Sequence, residues 1–379
     1  MARTEPTTLT RVVAVEAALV RLPLAHPRPR HRAERERGRF ARHILVRVRD
    51  GSGVIGWGEA PGADDAAWHA LTERFAPALL EHNWHRPTEV SLAWRSLAPF
   101  AAVESALDTA CWDLWSRQRG TPLAHALGGS RTAVTTGVTL GRQPSLESLV
   151  HEVNRQIGSG CKRIRLEVEP GWDVDVVRAV QEVFPYLVLQ VDGRGRYTEA
   201  PEHLAALRAL DEYGLLAIEQ PFAAPDLHAH ARLRQELRTP VALDGSIDSL
   251  ERLDEAIRLE AGSVLNLRVA RMGGLTPARR AHDRAADAGW RVWCGSDLET
   301  GVGRASIVAL ASLPGIDLPC EMPGAGARFT RDLVTPSVRP HDGIAAIPLT
   351  QPGLGYEVDE RAVWGMAVRS TSLTSDGTD

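Results

Sequence analysis

Lysine is almost missing from this chain: of 44 basic residues, only Lys162 carries an amine and the rest are arginine. A GC-rich genome, which favours arginine codons, would explain the bias without reference to function. Whatever its origin, chemistry that needs a titratable amine has one side chain to work with. Cysteine is scarce as well. Cys111, Cys161, Cys294 and Cys320 are scattered without a CxxC, which argues against a disulfide framework and a zinc site. No apolar run approaches the roughly 20 residues that span a bilayer. The opening MARTEPTTLTRVV has no signal-peptide core, so a cytoplasmic location is expected. A net charge of −4 implies neither nucleic acid nor membrane as a partner of the whole chain.

What is present is a soluble-type composition, 44% hydrophobic and 24% charged over 379 residues, long enough for two domains. Residues 12–24 and 43–49 read as strands, with Gly51, Gly53 and Gly56 punctuating a hairpin. Helical spacing follows, clearest in FAAVESALDTACWDLWSRQRG (100–120), which stops at Gly120 before Pro122. The tryptophans at 57, 68, 84, 94, 112 and 115 are core candidates of this region. After Gly129 the pattern changes. Apolar runs at 134–140, 163–168, 187–192, 215–219, 241–244, 263–268 and 291–295, with an eighth at 316–321, alternate with helix-like stretches. Such βα repetition predicts a parallel barrel, with an open doubly wound sheet as the alternative. The expected organisation is an α+β capping region over 1–130, a barrel over 131–324 and a C-terminal segment over 325–367. Residues 1–10 and 368–379 are polar and expected to be mobile.

Asp192, Glu219 and Asp244 each close a predicted strand, one βα unit apart. In a barrel the C-terminal strand ends ring one mouth, so three adjacent strands aim three acids at one point. Their repulsion calls for a cation, and oxygen ligands suit Mg²⁺. The alternative is that each acid caps the helix that follows it.

The chain resembles the enolase superfamily, specifically the muconate-lactonizing subgroup that contains o-succinylbenzoate synthase and N-acylamino acid racemase. The resemblance is densest at CKRIRLEVEPGWDVD (161–175), IEQPF (218–222), LDGS (243–246), NLRVARMGG (266–274), VWCGSDLETGVGRA (292–305) and PGLGYEVDE (352–360). It implies an α/β fold: a (β/α)7β TIM-like barrel with an α+β capping domain formed by the N-terminal region and the C-terminal tail. It also implies one Mg²⁺ on Asp192, Glu219 and Asp244. The expected partner is a small-molecule carboxylate, within a homo-oligomer, with no nucleic acid and no membrane.

The pattern breaks where the resemblance would place catalytic lysines. Arg165 and Glu167 stand at the Lys-x-Lys positions of the second strand, on one inward face, and Arg268 replaces the opposing lysine. The usual Asp-Ala-Asn reads Asp192-Gly193-Arg194, and Gly245 replaces an acid. Arginine stays protonated and cannot abstract a proton. Lys162 has the wrong parity to help. Glu167 is therefore the inward-facing candidate base, with Arg165, Arg194 and Arg268 as its candidate partners. The alternative is that Glu167 belongs to a structural salt-bridge cluster. No His–Asp dyad is visible, since His228 and His230 read as helix surface.

The leading expectation is a Mg²⁺-dependent lyase or isomerase working through an enediolate-like intermediate, with little racemase activity. The alternatives are a catalytically inactive ligand-binding barrel, and an o-succinylbenzoate synthase/racemase-like activity with an unusual base. Candidate substrate contacts are Ser296 and Asp297 in the glycine-rich GSDLETGVGR stretch, Glu321, and Arg39. Arg39 belongs to the arginine-rich HPRPRHRAERERGRFAR (26–42), read either as an anion clamp or as a solvated loop. Glu299 is expected to be structural. GRGR (193–196) lacks dinucleotide spacing and is read as a loop.

Overall fold

The computed structural model describes residues 9–25, 40–322, 329–375 and 377–378. Strand Thr10–Pro23 pairs antiparallel with Phe40–Asp50, which pairs with Ile55–Ala60. Gly51 and Gly53 make the turn, with Gly53 at φ 89°. Gly56, expected in that turn, instead lies inside the third strand together with Gly58. A Cβ at Gly56 or Gly58 would press into backbone atoms at Ala110 or Ala106 of helix Ala101–Gln118. The two glycines thus let the helix lie directly on the strand.

The C-terminal residues 368–375 are not a mobile tail. Ala367–Thr374 adds a strand to the capping sheet, antiparallel to Thr10–Pro23. Its polar sequence reflects exposure of Val368–Ser370, while Leu373 is buried. Ahead of it, Ile344–Ala346 pairs with a barrel strand instead of the capping sheet.

Eight parallel strands form the barrel: Ala133–Leu140, Arg163–Glu167, Val188–Asp192, Ile218–Glu219, Val241–Leu243, Val264–Leu267, Arg291–Cys294 and Cys320–Glu321. They are numbered first to eighth below. The eighth pairs with the first through Cys320↔Thr136, and the Cys294 N–H donates to Cys320 Sγ at 3.3 Å between the seventh and eighth. This nearly closed ring excludes the open doubly wound sheet. Period two sorts each strand. In the second, Ile164 and Leu166 join a core with Val177, Leu189 and Val191, while Arg163, Arg165 and Glu167 share the opposite face.

The cap is locked to the barrel by buried polar contacts. Asp108 accepts from the Thr276 N–H at 2.9 Å, and Trp112 Nε1 donates to Thr276 Oγ1 at 2.9 Å. Glu59 accepts from Thr300 N–H (2.8 Å), Thr300 Oγ1 (2.6 Å) and Gly303 N–H (2.8 Å) at the start of helix Gly301–Leu310. Among the described residues no helix is long and apolar enough to cross a membrane.

Candidate active site

Strand register builds the site. Glu167, Asp192 and Glu219 lie side by side at the ends of the second, third and fourth strands. Asp244 follows the fifth strand by one residue, and Arg268 follows the sixth by one. None of the three expected metal ligands caps a helix. The helices after their strands begin at Ala200, Asp226 and Ser249, which overturns the capping alternative.

The acids do meet a cation, and it is a guanidinium. Arg165, 3% exposed, donates from Nη1 to both oxygens of Glu219 at 2.7 Å, and the same nitrogen lies 3.6 Å from Asp192 Oδ2. Its Nη2 donates to Glu321 at 2.8 Å and its Nε to Thr139 at 2.8 Å. Glu219, fully buried, also accepts from Gln190 and Asn266 at 2.6 Å each. Asp244 accepts from Arg268 Nε at 2.6 Å and from Arg271 Nη1 at 2.7 Å. Arg268 further donates to Asp297 at 3.0 Å and to the Ser296 carbonyl.

Electrostatics follow from this pairing. Burial pushes Asp192 up to about 7, helped by the neighbouring Glu219 charge, and Arg165 only partly offsets them. Asp244 also suffers from burial, yet the charges of Arg268 and Arg271 hold it below the usual carboxylate range. Glu321 is lowered in the same way by Arg165 and Arg268 against its burial. Burial would lower Arg268, but Asp244 and Asp297 raise it, so it stays a fixed cation.

A divalent ion needs free oxygen lone pairs at about 2.1 Å in octahedral array. Both oxygens of Glu219 face donors, and Asp244 is drawn onto two arginines. Asp192 Oδ1 accepts from the Arg194 N–H at 2.9 Å, which leaves Oδ2 as the oxygen without a close donor. Among the described residues no group of three histidine, cysteine, aspartate or glutamate side chains is arranged to hold a metal. The donor set therefore does not fit a resident Mg²⁺.

Glu167 stands apart from this network. Its carboxylate is bound by Arg194 Nη1 at 2.6 Å, and the Arg194 side chain is 50% exposed. Of its expected partners, Arg165 and Arg268 are turned to other acids. Arg39 lies outside the described residues. Ser296 is buried and donates to Glu299 at 2.6 Å. Burial pushes that Glu299 carboxyl to about 7. Glu321, expected as a substrate contact, has both oxygens engaged, by Thr139 (2.9 Å) and by Arg165.

His230 is not helix surface. It is fully buried, 3.2 Å from Gln220 Nε2. Gln220 in turn accepts from the Asp244 N–H (3.0 Å) and the Ser246 N–H (3.1 Å), so the pair fixes the fourth and fifth strand ends. Sequence reading also missed Gln190, Asn266 and Arg271. The first two are polar residues at inward positions of apolar strands, and Arg271 lies one helical turn after Arg268, so parity and period marked all three.

An eight-strand parallel barrel under an α+β cap, with acids at successive strand ends, is the architecture of a capped-barrel protein whose active site sits at the C-terminal mouth of the strands. A profile described as "Mandelate racemase / muconate lactonizing enzyme, N-terminal domain" matches residues 15–128, and one described as "Enolase C-terminal domain-like" matches 148–362. The chain is 40% identical over 329 residues to an o-succinylbenzoate synthase of Geobacillus stearothermophilus, covering 84% of this chain and 87% of that protein. It is 38% identical over 351 residues to an N-succinylamino acid racemase of Thermus thermophilus, covering 89% and 92%. The structure of an enolase-superfamily member from Enterococcus faecalis superposes with a TM-score of 0.88 at 29% identity, over 96% of this chain and all of that one (100%). The chain belongs to the enolase superfamily, among relatives of o-succinylbenzoate synthase and N-succinylamino acid racemase.

Proposed function

We propose that this protein carries out lyase- or isomerase-type chemistry on a carboxylate-bearing small molecule at the barrel mouth, with Glu167 moving the proton. The observation that carries this reading is the Glu167–Arg194 pair, in which the acid is largely covered and the arginine is half in solvent. Arg194 is free to exchange Glu167 for a substrate carboxylate, matching it as a two-pronged donor. Glu167 is then left facing the bound substrate without its ion-pair partner. Arginine charge from Arg194, with Arg271 and Arg268 behind it, would stabilise the enediolate-like anion that forms. A single base suits elimination or cycloisomerisation on one face. The expected Mg²⁺ takes no part in this reading, because Glu219 and Asp244 have given their lone pairs to other donors.

The network of Arg165, Arg268 and Arg271 with buried acids favours a second reading, a barrel that binds its ligand without turnover. Incubation with N-acylamino acids and succinylbenzoate-type substrates in D2O, followed by mass spectrometry, separates the two. Turnover or deuterium uptake is expected in the wild type and should fall by roughly 100-fold or more in Glu167→Gln. Uptake undiminished in that variant removes Glu167 from the role, and no uptake on any substrate favours the second reading.

A further inference from the structure

The mouth of this barrel gathers four carboxylates, Asp192, Glu219, Asp244 and Glu321, each at least nine-tenths buried or drawn into an arginine pair. Such a concentration of negative charge requires a positive partner inside the protein. A divalent ion and a guanidinium are competing solutions, because both draw on the same oxygen lone pairs. Here the positive group grows from the second strand. Arg165 Nη1 stands 2.7 Å from both Glu219 oxygens, Nη2 stands 2.8 Å from Glu321, and Nε is anchored to Thr139 at 2.8 Å. With all three nitrogens engaged and 3% exposure, this side chain cannot swing aside without abandoning buried acids. A divalent ion seated on Glu219 and Asp192 would lie against that guanidinium. On the far side, Arg268 and Arg271 draw on the Asp244 oxygens that an ion would need.

We propose that the Arg165 guanidinium, backed by Arg268, replaces a divalent cation at this strand-end site, so that the barrel mouth is charge-balanced and folded without metal. The choice of arginine is physically apt: it remains protonated at every working pH and presents several donors in a plane, whereas an amine could be deprotonated or displaced. The claim concerns ion binding alone and holds whether or not the proposed turnover is found.

The test is a titration of the full-length protein with Mn²⁺ alone, read by electron paramagnetic resonance of the free ion, with Mg²⁺ and EDTA thermal melts in parallel. The wild type should leave Mn²⁺ free, and neither Mg²⁺ nor EDTA should move its melting temperature. Arg165→Ala should bind one Mn²⁺ per chain, at least 10-fold tighter than the wild type, and its melting temperature should rise with Mg²⁺. One tight Mn²⁺ on the wild type, lost in Asp192→Asn, overturns the proposal. A folded Arg165→Ala that binds no more Mn²⁺ than the wild type overturns it too. If Arg165→Ala does not fold, the wild-type titration decides on its own: Mn²⁺ left free supports the proposal and one tight Mn²⁺ per chain overturns it.

Discussion

Arg165 on the second barrel strand and Glu219 at the end of the fourth form a buried ion pair in which one guanidinium nitrogen lies 2.7 Å from both carboxylate oxygens. Neither group can be solvated where it sits. Each offsets the burial of the other, and removal of one leaves its partner's buried charge under-compensated. Glu219→Gln keeps the shape and removes the charge. It should cost roughly 3–5 kcal/mol of stability in urea unfolding at pH 7. A loss below about 1 kcal/mol would mean the pair is solvated, contrary to its burial.

The Arg194–Glu167 pair should behave in the opposite way. Its arginine is half exposed, so solvent can replace either partner. Arg194→Ala should shift stability by no more than about 1 kcal/mol in the same unfolding experiment, while lowering affinity for carboxylate ligands. A large destabilisation would assign Arg194 a structural role and weaken its part in ligand exchange.

Strand parity made much of this legible from sequence. The second strand alternates Ile164 and Leu166 outward with Arg163, Arg165 and Glu167 inward, and the eight apolar runs match the eight strands. Parity could not say which acid Arg165 would choose. That choice depends on the height of side chains within the barrel, where Glu219 and Glu321 lie level with the Arg165 fork. The same limit hid His230. The helix period marks a face as inward only when the neighbouring apolar residues are read with it, and HAHAR offers few. The strand at Ala367–Thr374 was hidden by composition, because an exposed strand carries the polar residues of a loop.

Asp108 makes stability depend on pH. It is buried at the cap–barrel junction, and burial pushes it up to about 7, with the Thr276 hydrogen bonds opposing. Its folded value lies above the ordinary aspartate value of 3.8. The folded state therefore holds more protons than the unfolded state between those values. Stability associated with this group is complete below about 4 and is lost as pH rises through about 7. Asp108→Asn should remove that component, flattening the stability profile between pH 4 and 7. It should gain on the order of 1–3 kcal/mol relative to wild type at pH 8. An unchanged slope in urea unfolding across that range would show that Asp108 titrates normally.

Gly58 tests the backbone-to-backbone packing of the cap. A Cβ there runs into the Ala106 carbonyl of the Ala101–Gln118 helix, which is backbone and cannot rotate away. Gly58→Ala should cost at least about 2 kcal/mol by thermal unfolding. Gly51→Ala is the control. A Cβ at Gly51 meets Val13 Cγ1 at an ordinary 3.9 Å, so its effect should stay within about 0.5 kcal/mol. Equal effects would mean the helix moves freely on the strand.

Stereochemistry gives the sharpest reading of the mouth. Racemisation needs a base on each face of the substrate carbon. The position opposite the second strand holds Arg268, kept cationic by Asp244 and Asp297, which can attract an anion but cannot take a proton. Lys162, the single amine, is exposed at the opposite end of the barrel strand from Glu167. On the proposed role of Glu167 as the one base, the proton returns to the face it came from. With an N-succinyl amino acid in D2O, one enantiomer should exchange its α-hydrogen with retention while the other stays unlabelled. Chiral chromatography coupled to mass spectrometry reads both at once. Robust conversion between enantiomers, abolished in Glu167→Gln, would require a second base that this arrangement of side chains does not supply.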